Sequence, residues 1–272
     1  MQASKSAIDA LIFDSGVGGL SILSEILKLQ PGLSFIYISD NAGLPYGNKT
    51  AEWLEQRVSS VIAAVLKHYE PQVLVLACNT ASTLVLPQIR AEVSMQVVGV
   101  VPAIKPASAL SRNKVIGLLA TPATVARAYT DTLIKDFAQG AEVIRVGSSR
   151  LVELVERKMR GEAIPLAELR GILQPFLAAP TPPDTVVLGC THFPLAQFEI
   201  QSILPGVTLI DSGAAIAKRV QNLLAKAGSS PGPLRRIYFT SLDATIEELR
   251  MFLNSYGLDE PRHLPGLALT QS

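Results

Sequence analysis

Two cysteines, Cys78 and Cys190, are the only thiols in this 272-residue chain, and each follows a short apolar run. After the first stand Asn79 and Thr80, after the second Thr191 and His192, types suited to a helix N-cap or to a ligand contact. On composition alone, a cysteine at the end of a buried strand is a small core residue. Matched placement at two polar boundaries points instead to chemistry. A thiol at a helix N-terminus has a lowered pKa and becomes a usable base near neutral pH. In an extended turn alternate side chains point the same way, so His192 and Cys190 can share a face. An imidazole there can take or supply a proton for the thiol; the bland alternative is a hydrogen-bonded loop histidine. A disulfide between the cysteines would close the space between them. A zinc site from Cys78, Cys190 and His192 lacks the close ligand pairs of structural zinc sites.

Asp14 ends another apolar run and opens the turn Asp14-Ser15-Gly16-Val17-Gly18-Gly19. It reads either as a simple cap or as a carboxylate beside one thiol. The glycine turn offers backbone N–H groups to an anion at a helix start. It lacks the lysine of a P-loop and the spacing of GxGxxG. Pro45-Tyr46-Gly47-Asn48 is a second turn whose amides can face a ligand. No arginine or lysine lies inside these motifs; Lys49 is the nearest. An anionic ligand must then be held by amides and by the hydroxyls of Ser15, Thr80 and Thr191. No lysine is placed as a Schiff-base anchor for pyridoxal phosphate.

The elements that must carry these residues repeat one pattern: apolar run, small polar turn, helical stretch. It recurs at 10–13, 34–38, 73–77, 115–120, 143–146, 185–189 and 207–210. Buried strands alternating with helices predict an α/β fold with parallel sheets, and ligands in such sheets sit beyond the carboxyl ends of the strands. Segment 11–16 resembles 117–122, and 75–80 resembles 187–192 more closely. Two related halves facing each other across a cleft, one cysteine from each, are the expectation. Segment 228–233 reads as a loop and the last ten residues or so as a tail.

Composition sets the limits. Hydrophobic residues make up 48% and charged ones 17%, so a large core forms and disorder is excluded. The formal net charge of +1 offers no basic excess for phosphate contacts, so no nucleic-acid partner is expected. Apolar runs are far shorter than the ~18 residues of a membrane span. With no signal peptide read at the N-terminus, the expectation is a cytoplasmic protein without a membrane partner.

Together these residues resemble the cofactor-independent aspartate/glutamate racemase superfamily, and most closely its members that act on glutamate. The carrying segments are 13–20 (FDSGVGGL), Asp40 with Pro45-Tyr46-Gly47, 77–82 (ACNTAS), 100–102 and 188–195 (LGCTHFPL). The resemblance runs from about residue 10 to about 220. It implies inversion of L-glutamate to D-glutamate at Cα, supplying peptidoglycan synthesis in a bacterium, with no cofactor and no metal. Cys78 and Cys190 would be the acid/base pair on opposite faces, supported by Asp14 and His192 respectively. Asp14, Ser15, Tyr46, Gly47, Asn79, Thr80, Thr121, Thr191 and His192 match substrate-binding positions. Asp40 and Glu156 match outer carboxylates; by its helix alone, Glu156 reads as an ordinary surface acid. The implied architecture is two similar parallel-sheet α/β domains related by pseudo-symmetry, 1–98 plus 208–272 and 99–207, with the site in the cleft between them. A homodimer is also implied.

Other chemistries stay open at this stage: a racemase for aspartate or another small acid, a thiol hydrolase using Cys190 and His192, or a two-domain binder that never exchanges an α-proton. The hydrolase would leave Cys78 without a role.

Overall fold

The computed structural model describes residues 5–225, 233–258 and 260–265. Most of the segments read as loop and tail, 228–232 and 266–272, therefore lie outside the described residues. Ten strands form two all-parallel sheets. β1 (Ser6–Asp14), β2 (Phe35–Ser39), β3 (Tyr69–Leu76) and β4 (Gln96–Gly99) make the first, and β5 (Val115–Ala120), β6 (Glu142–Gly147), β7 (Thr185–Leu188) and β8 (Thr208–Ile210) the second. β9 (Arg235–Phe239) and β10 (Pro261–His263) extend the first sheet beside β2. The strand orders are β10-β9-β2-β1-β3-β4 and β6-β5-β7-β8.

Set β9 and β10 aside and the two orders are one topology, 2-1-3-4, written twice. The register agrees. Ala77 N–H donates to Phe13 O at 2.8 Å, and Gly189 N–H donates to Leu119 O at 2.7 Å. Those two donors immediately precede the two cysteines. Asp40 N–H to Asp14 O and Ser148 N–H to Ala120 O, both 2.9 Å, form a second matched pair. Ser15 thus corresponds to Thr121, Cys78 to Cys190, and Thr80 to His192.

Both faces of each sheet are covered, which is why the strands read as nearly unbroken apolar runs. Leu11 and Phe13 of β1 pack with Leu54, Val58 and Val61 of the helix Ala51–Leu66. Ala10 and Ile12 face Leu20, Leu23 and Ile26 of the helix Leu20–Leu29. In the second sheet Leu119, Val186 and Leu188 meet Leu169, Leu173 and Phe176, while Ile116 and Leu118 meet Ile104 and Ala107. Every strand end that carries a candidate residue, on β1, β3, β5 and β7, is a carboxyl end. Sheet membership places the return to the first domain after β8: residues 208–210, assigned above to the first domain, pair with β7. Among the described residues no helix is long and apolar enough to cross a membrane.

Candidate active site

A small, tight cavity lies where the carboxyl ends of the two sheets meet. From the first domain Ser15, Tyr46, Gly47, Cys78, Asn79 and Thr80 line it; from the second, Thr121, Cys190, Thr191 and His192. Leu44, Pro45 and Val152 complete the wall. So the segments after β1, β2, β3, β5 and β7 bring together every residue read as substrate-binding except Asp14, which lies behind the first turn with no exposed surface.

Both cysteines are free and buried. Cys78 is the N-cap residue of the helix Asn79–Glu92, and its Sγ lies 3.5 Å from Ser15 Oγ. The expectation of a lowered pKa fails at Cys78. Burial pushes the thiol far up and the Asp14 carboxylate pushes it further, while the Ala81 N–H and the Ser15 hydroxyl pull only weakly the other way. Desolvation of a buried thiolate outweighs a helix N-terminus here. These causes favour the protonated thiol at Cys78.

Cys190 stands in a different setting. His192 Nδ1 lies 3.8 Å from Cys190 Sγ, and His192 Nε2 lies 2.7 Å from Glu156 Oε1. Burial alone would lower the imidazole's pKa, but its hydrogen bonds to Cys190 and Glu156, and their charges, hold it well above the usual value. That shift favours the imidazolium, the form in which both ring nitrogens donate. Burial likewise opposes ionisation of Glu156, yet His192, the Val17 N–H and Arg160 outweigh it and keep Glu156 below the usual carboxylate range. Glu156 is therefore no surface acid; it is 6% exposed. The helix Ser149–Met159 buries Leu151, Val152, Leu154, Val155 and Glu156. Glu156 stands four residues after Val152, on the apolar stripe, and that spacing is a signal visible in the sequence.

The glycine turn does bind anions, but both belong to the chain. Asp14 Oδ2 accepts from Gly16 N–H at 3.3 Å and Gly19 N–H at 2.9 Å, and Glu156 Oε1 accepts from Val17 N–H at 3.0 Å. Close approach explains the glycines. A Cβ on Gly18 would lie 2.4 Å from His192 Nδ1, and one on Gly16 would lie 2.3 Å from Glu156 Oε1. Burial raises the Asp14 pKa despite the opposing His192 charge and Gly19 N–H. Among the described residues Asp14 Oδ1 and Asn79 Oδ1 are buried without partners; of the two, Asn79 lines the cavity and offers an acceptor to a donor there.

Sequence reasoning missed the contacts that close the domains on each other. Thr80 Oγ1 lies 2.9 Å from Thr121 Oγ1, and Thr121 Oγ1 lies 3.0 Å from Thr124 Oγ1. Ser149 Oγ donates to Asn48 Oδ1 at 2.9 Å. Ser21 Oγ donates to Thr191 O at 2.8 Å, tying the helix after the glycine turn to the Cys190 turn. Asp40 is a buried hub: it accepts from Tyr46 Oη, from Arg57 through both oxygens, and from Thr240. Among the described residues, no group of three or more His, Cys, Asp or Glu side chains is arranged to hold a metal ion.

Two parallel-sheet α/β domains, each with a buried thiol at an equivalent strand end beside one cavity, are the features that define this chain's class. The Asp/Glu/Hydantoin racemase family matches residues 21–220, and the chain belongs to it. Its similarity extends to the glutamate racemase of Pectobacterium atrosepticum, 48% identical over 94% of this chain and 90% of that one. The glutamate racemase of Klebsiella pneumoniae is 49% identical over 94% and 91%. The crystal structure of Escherichia coli glutamate racemase in complex with L-glutamate and the activator UDP-MurNAc-Ala superposes with a TM-score of 0.90. It is 44% identical, over 96% of this chain and 98% of that one.

Proposed function

We propose that the chain interconverts L- and D-glutamate by moving a proton at Cα between two thiols, and that the D-glutamate supplies peptidoglycan synthesis. One observation carries this reading: Cys78 and Cys190 line one small cavity from equivalent strand ends of two opposed domains. A carbon held between them has one sulfur on each face, the arrangement that inversion requires. The glutamate racemases to which the chain is so similar supply the substrate.

Cys78 enters the first turnover as the acid, because burial and Asp14 keep it protonated. Cys190, with His192 as its proton partner, is the base. The α-ammonium goes to the unpartnered oxygen of Asn79, which lines the cavity; the carboxylates go to the hydroxyls and amides of Ser15, Thr80, Thr121, Thr191 and the Tyr46–Gly47 turn. Glu156 stays charged beside His192 and keeps the imidazolium in place. Holding these groups before the reaction begins is how such a site lowers its barrier.

The test is inversion in heavy water followed by NMR, with no cofactor added. Starting from unlabelled L-glutamate, early D-glutamate carries deuterium at Cα while the remaining L-glutamate stays unlabelled. The sulfur that took the proton is not the one that reprotonates the other face. Deuterium entering both enantiomers at similar early rates would rule out two separate thiols. Absence of α-proton exchange, with ester or amide cleavage in its place, would favour a Cys190–His192 hydrolase.

A further inference from the structure

The cavity wall formed by Tyr46 and Gly47 is held from behind by a buried ion pair to which the reaction described above assigns no task. Asp40, at the end of β2, has no exposed surface, and Arg57, in the helix Ala51–Leu66, is 7% exposed. Arg57 Nε donates to Asp40 Oδ2 at 2.9 Å and Arg57 Nη2 to Asp40 Oδ1 at 2.6 Å. The remaining lone pairs are also used. Tyr46 Oη donates to Oδ2 at 2.5 Å, and Thr240 Oγ1, just past β9, donates to Oδ1 at 2.6 Å. Thr240 Oγ1 in turn accepts from Ala42 N–H at 3.2 Å. Three side chains from three segments thus meet at one carboxylate through four hydrogen bonds and leave it saturated.

Stability does not account for such a pair, because apolar residues of similar volume often serve a core equally well or better. Geometry does. Tyr46 is buried, with its ring edge-on to Trp53 at 5.9 Å, and its hydroxyl bond to Asp40 sets how far the turn 45–48 reaches across the cleft. There is little tolerance at the far side: a Cβ on Gly47 would lie 3.1 Å from Thr121 Cβ in the other domain. The half-repeat gives the arrangement a counterpart. Thr50 caps the helix after β2 and Ser148 caps the helix after β6. Each helix then sends one buried charged side chain toward the site, Arg57 in the first domain and Glu156 in the second. Glu156 orients His192; Arg57, through Asp40, orients Tyr46.

We propose that Arg57 and Thr240 are positioning residues for substrate binding, acting through Asp40 to hold the Tyr46–Gly47 wall at its closing height. This rests on the racemase reading, and the two separate cleanly. If the unaltered chain exchanges no α-proton of glutamate, that reading fails. If it does, steady-state kinetics of Arg57→Lys, Thr240→Val and Tyr46→Phe decide the inference. Thr240→Val leaves the ion pair whole and so guards against simple unfolding. The expected result is a rise in KM of about 10-fold in each variant, and up to about 100-fold for Arg57→Lys, the size of a lost hydrogen bond to a charged group, with a smaller change in kcat. Arg57→Lys combined with Tyr46→Phe should be little worse than the worse single variant, since both act through one wall. Lowered melting temperatures with KM unchanged, or fully additive KM effects, would overturn it and leave the network as core.

Discussion

The two halves of the site share a backbone and differ in chemistry. Each has a cysteine after its third strand, preceded by the same inter-strand hydrogen bond. Yet the position of Asp14 in the first half is Ala120 in the second, and the position of His192 in the second is Thr80 in the first. On the Cys78 side, burial and the Asp14 carboxylate keep the thiol protonated against the weaker pull of the Ser15 hydroxyl. The Cys190 side has an imidazolium anchored on Glu156. A repeated fold supplies two opposed attack directions. In the proposed reaction, two different sets of neighbours let one sulfur start as acid and the other as base, which two identical environments would not do.

The largest expected effect breaks the comparison outright. Cys78→Ser and Cys190→Ser should each reduce inversion by at least about 10³-fold, because a serine hydroxyl is too weak an acid to replace a thiol of free pKa ~8.5. Full inversion by either variant would return that cysteine to the core.

His192→Asn comes next, at about 10²-fold, within the range for a general acid–base group. The enantiomers have equal free energy in achiral solvent, so kcat/KM must fall equally in both directions. The asymmetry emerges in isotope effects. With α-deuterated substrates, the effect on kcat/KM should grow for the enantiomer whose Cα–H bond Cys190 breaks and shrink for the other. Equal isotope effects would mean that His192 serves neither thiol in particular. Gly18→Ala tests the same contact by bulk. Its Cβ would displace the imidazole, giving a loss of about 10-fold or more together with the one-sided isotope effect.

Glu156→Gln sharpens the comparison through pH. Because the folded-state pKa of His192 is raised, the stability its charge contributes is fully present below the ordinary ~6.5 and is lost as pH rises through the raised value. Removing the Glu156 charge lowers that value, so the corresponding limb in a pH series of unfolding measurements should move down. An unmoved limb would mean that the carboxylate does not hold the proton on His192.

Asp14→Asn has the smallest effect on stability and the opposite sign. A buried acid with a raised pKa binds more protons folded than unfolded, so its contribution falls as pH rises from about 3.8 through the raised value. The variant should therefore turn over more slowly and yet resist urea better than the unaltered chain at pH 8, with no such gain at pH 3. A loss of stability at pH 8 would mean that Asp14 is structural.

Much of this was legible in one dimension. Strand ends carrying Cys78, Cys190, Ser15, Thr121 and His192 stood out because a polar turn after a buried apolar run marks a carboxyl end, and carboxyl ends of parallel strands converge. β4, four residues long and opening on the exposed Gln96, escaped, and so did β9 and β10, for physical reasons. β9 begins with two arginines, and β10 is three residues long, begins with proline and has an exposed arginine and histidine, as suits a sheet edge. The return point that the family resemblance implies falls before β8, and a short strand with an exposed first residue carries no mark in the sequence of the sheet it joins.

By itself the sequence determined the residue types, their places at strand ends, and the doubling that sets one thiol against another. Those are local properties: hydrophobic period, turn chemistry and repeat. Tertiary structure alone decided protonation and reach. Whether Cys78 is acid or base depends on how much water is removed around it and on a carboxylate 64 residues away in sequence. Whether Glu156 is a surface acid or the anchor of His192 depends on the glycine turn that packs over it. Desolvation and charge act through space, and only the folded chain sets those distances.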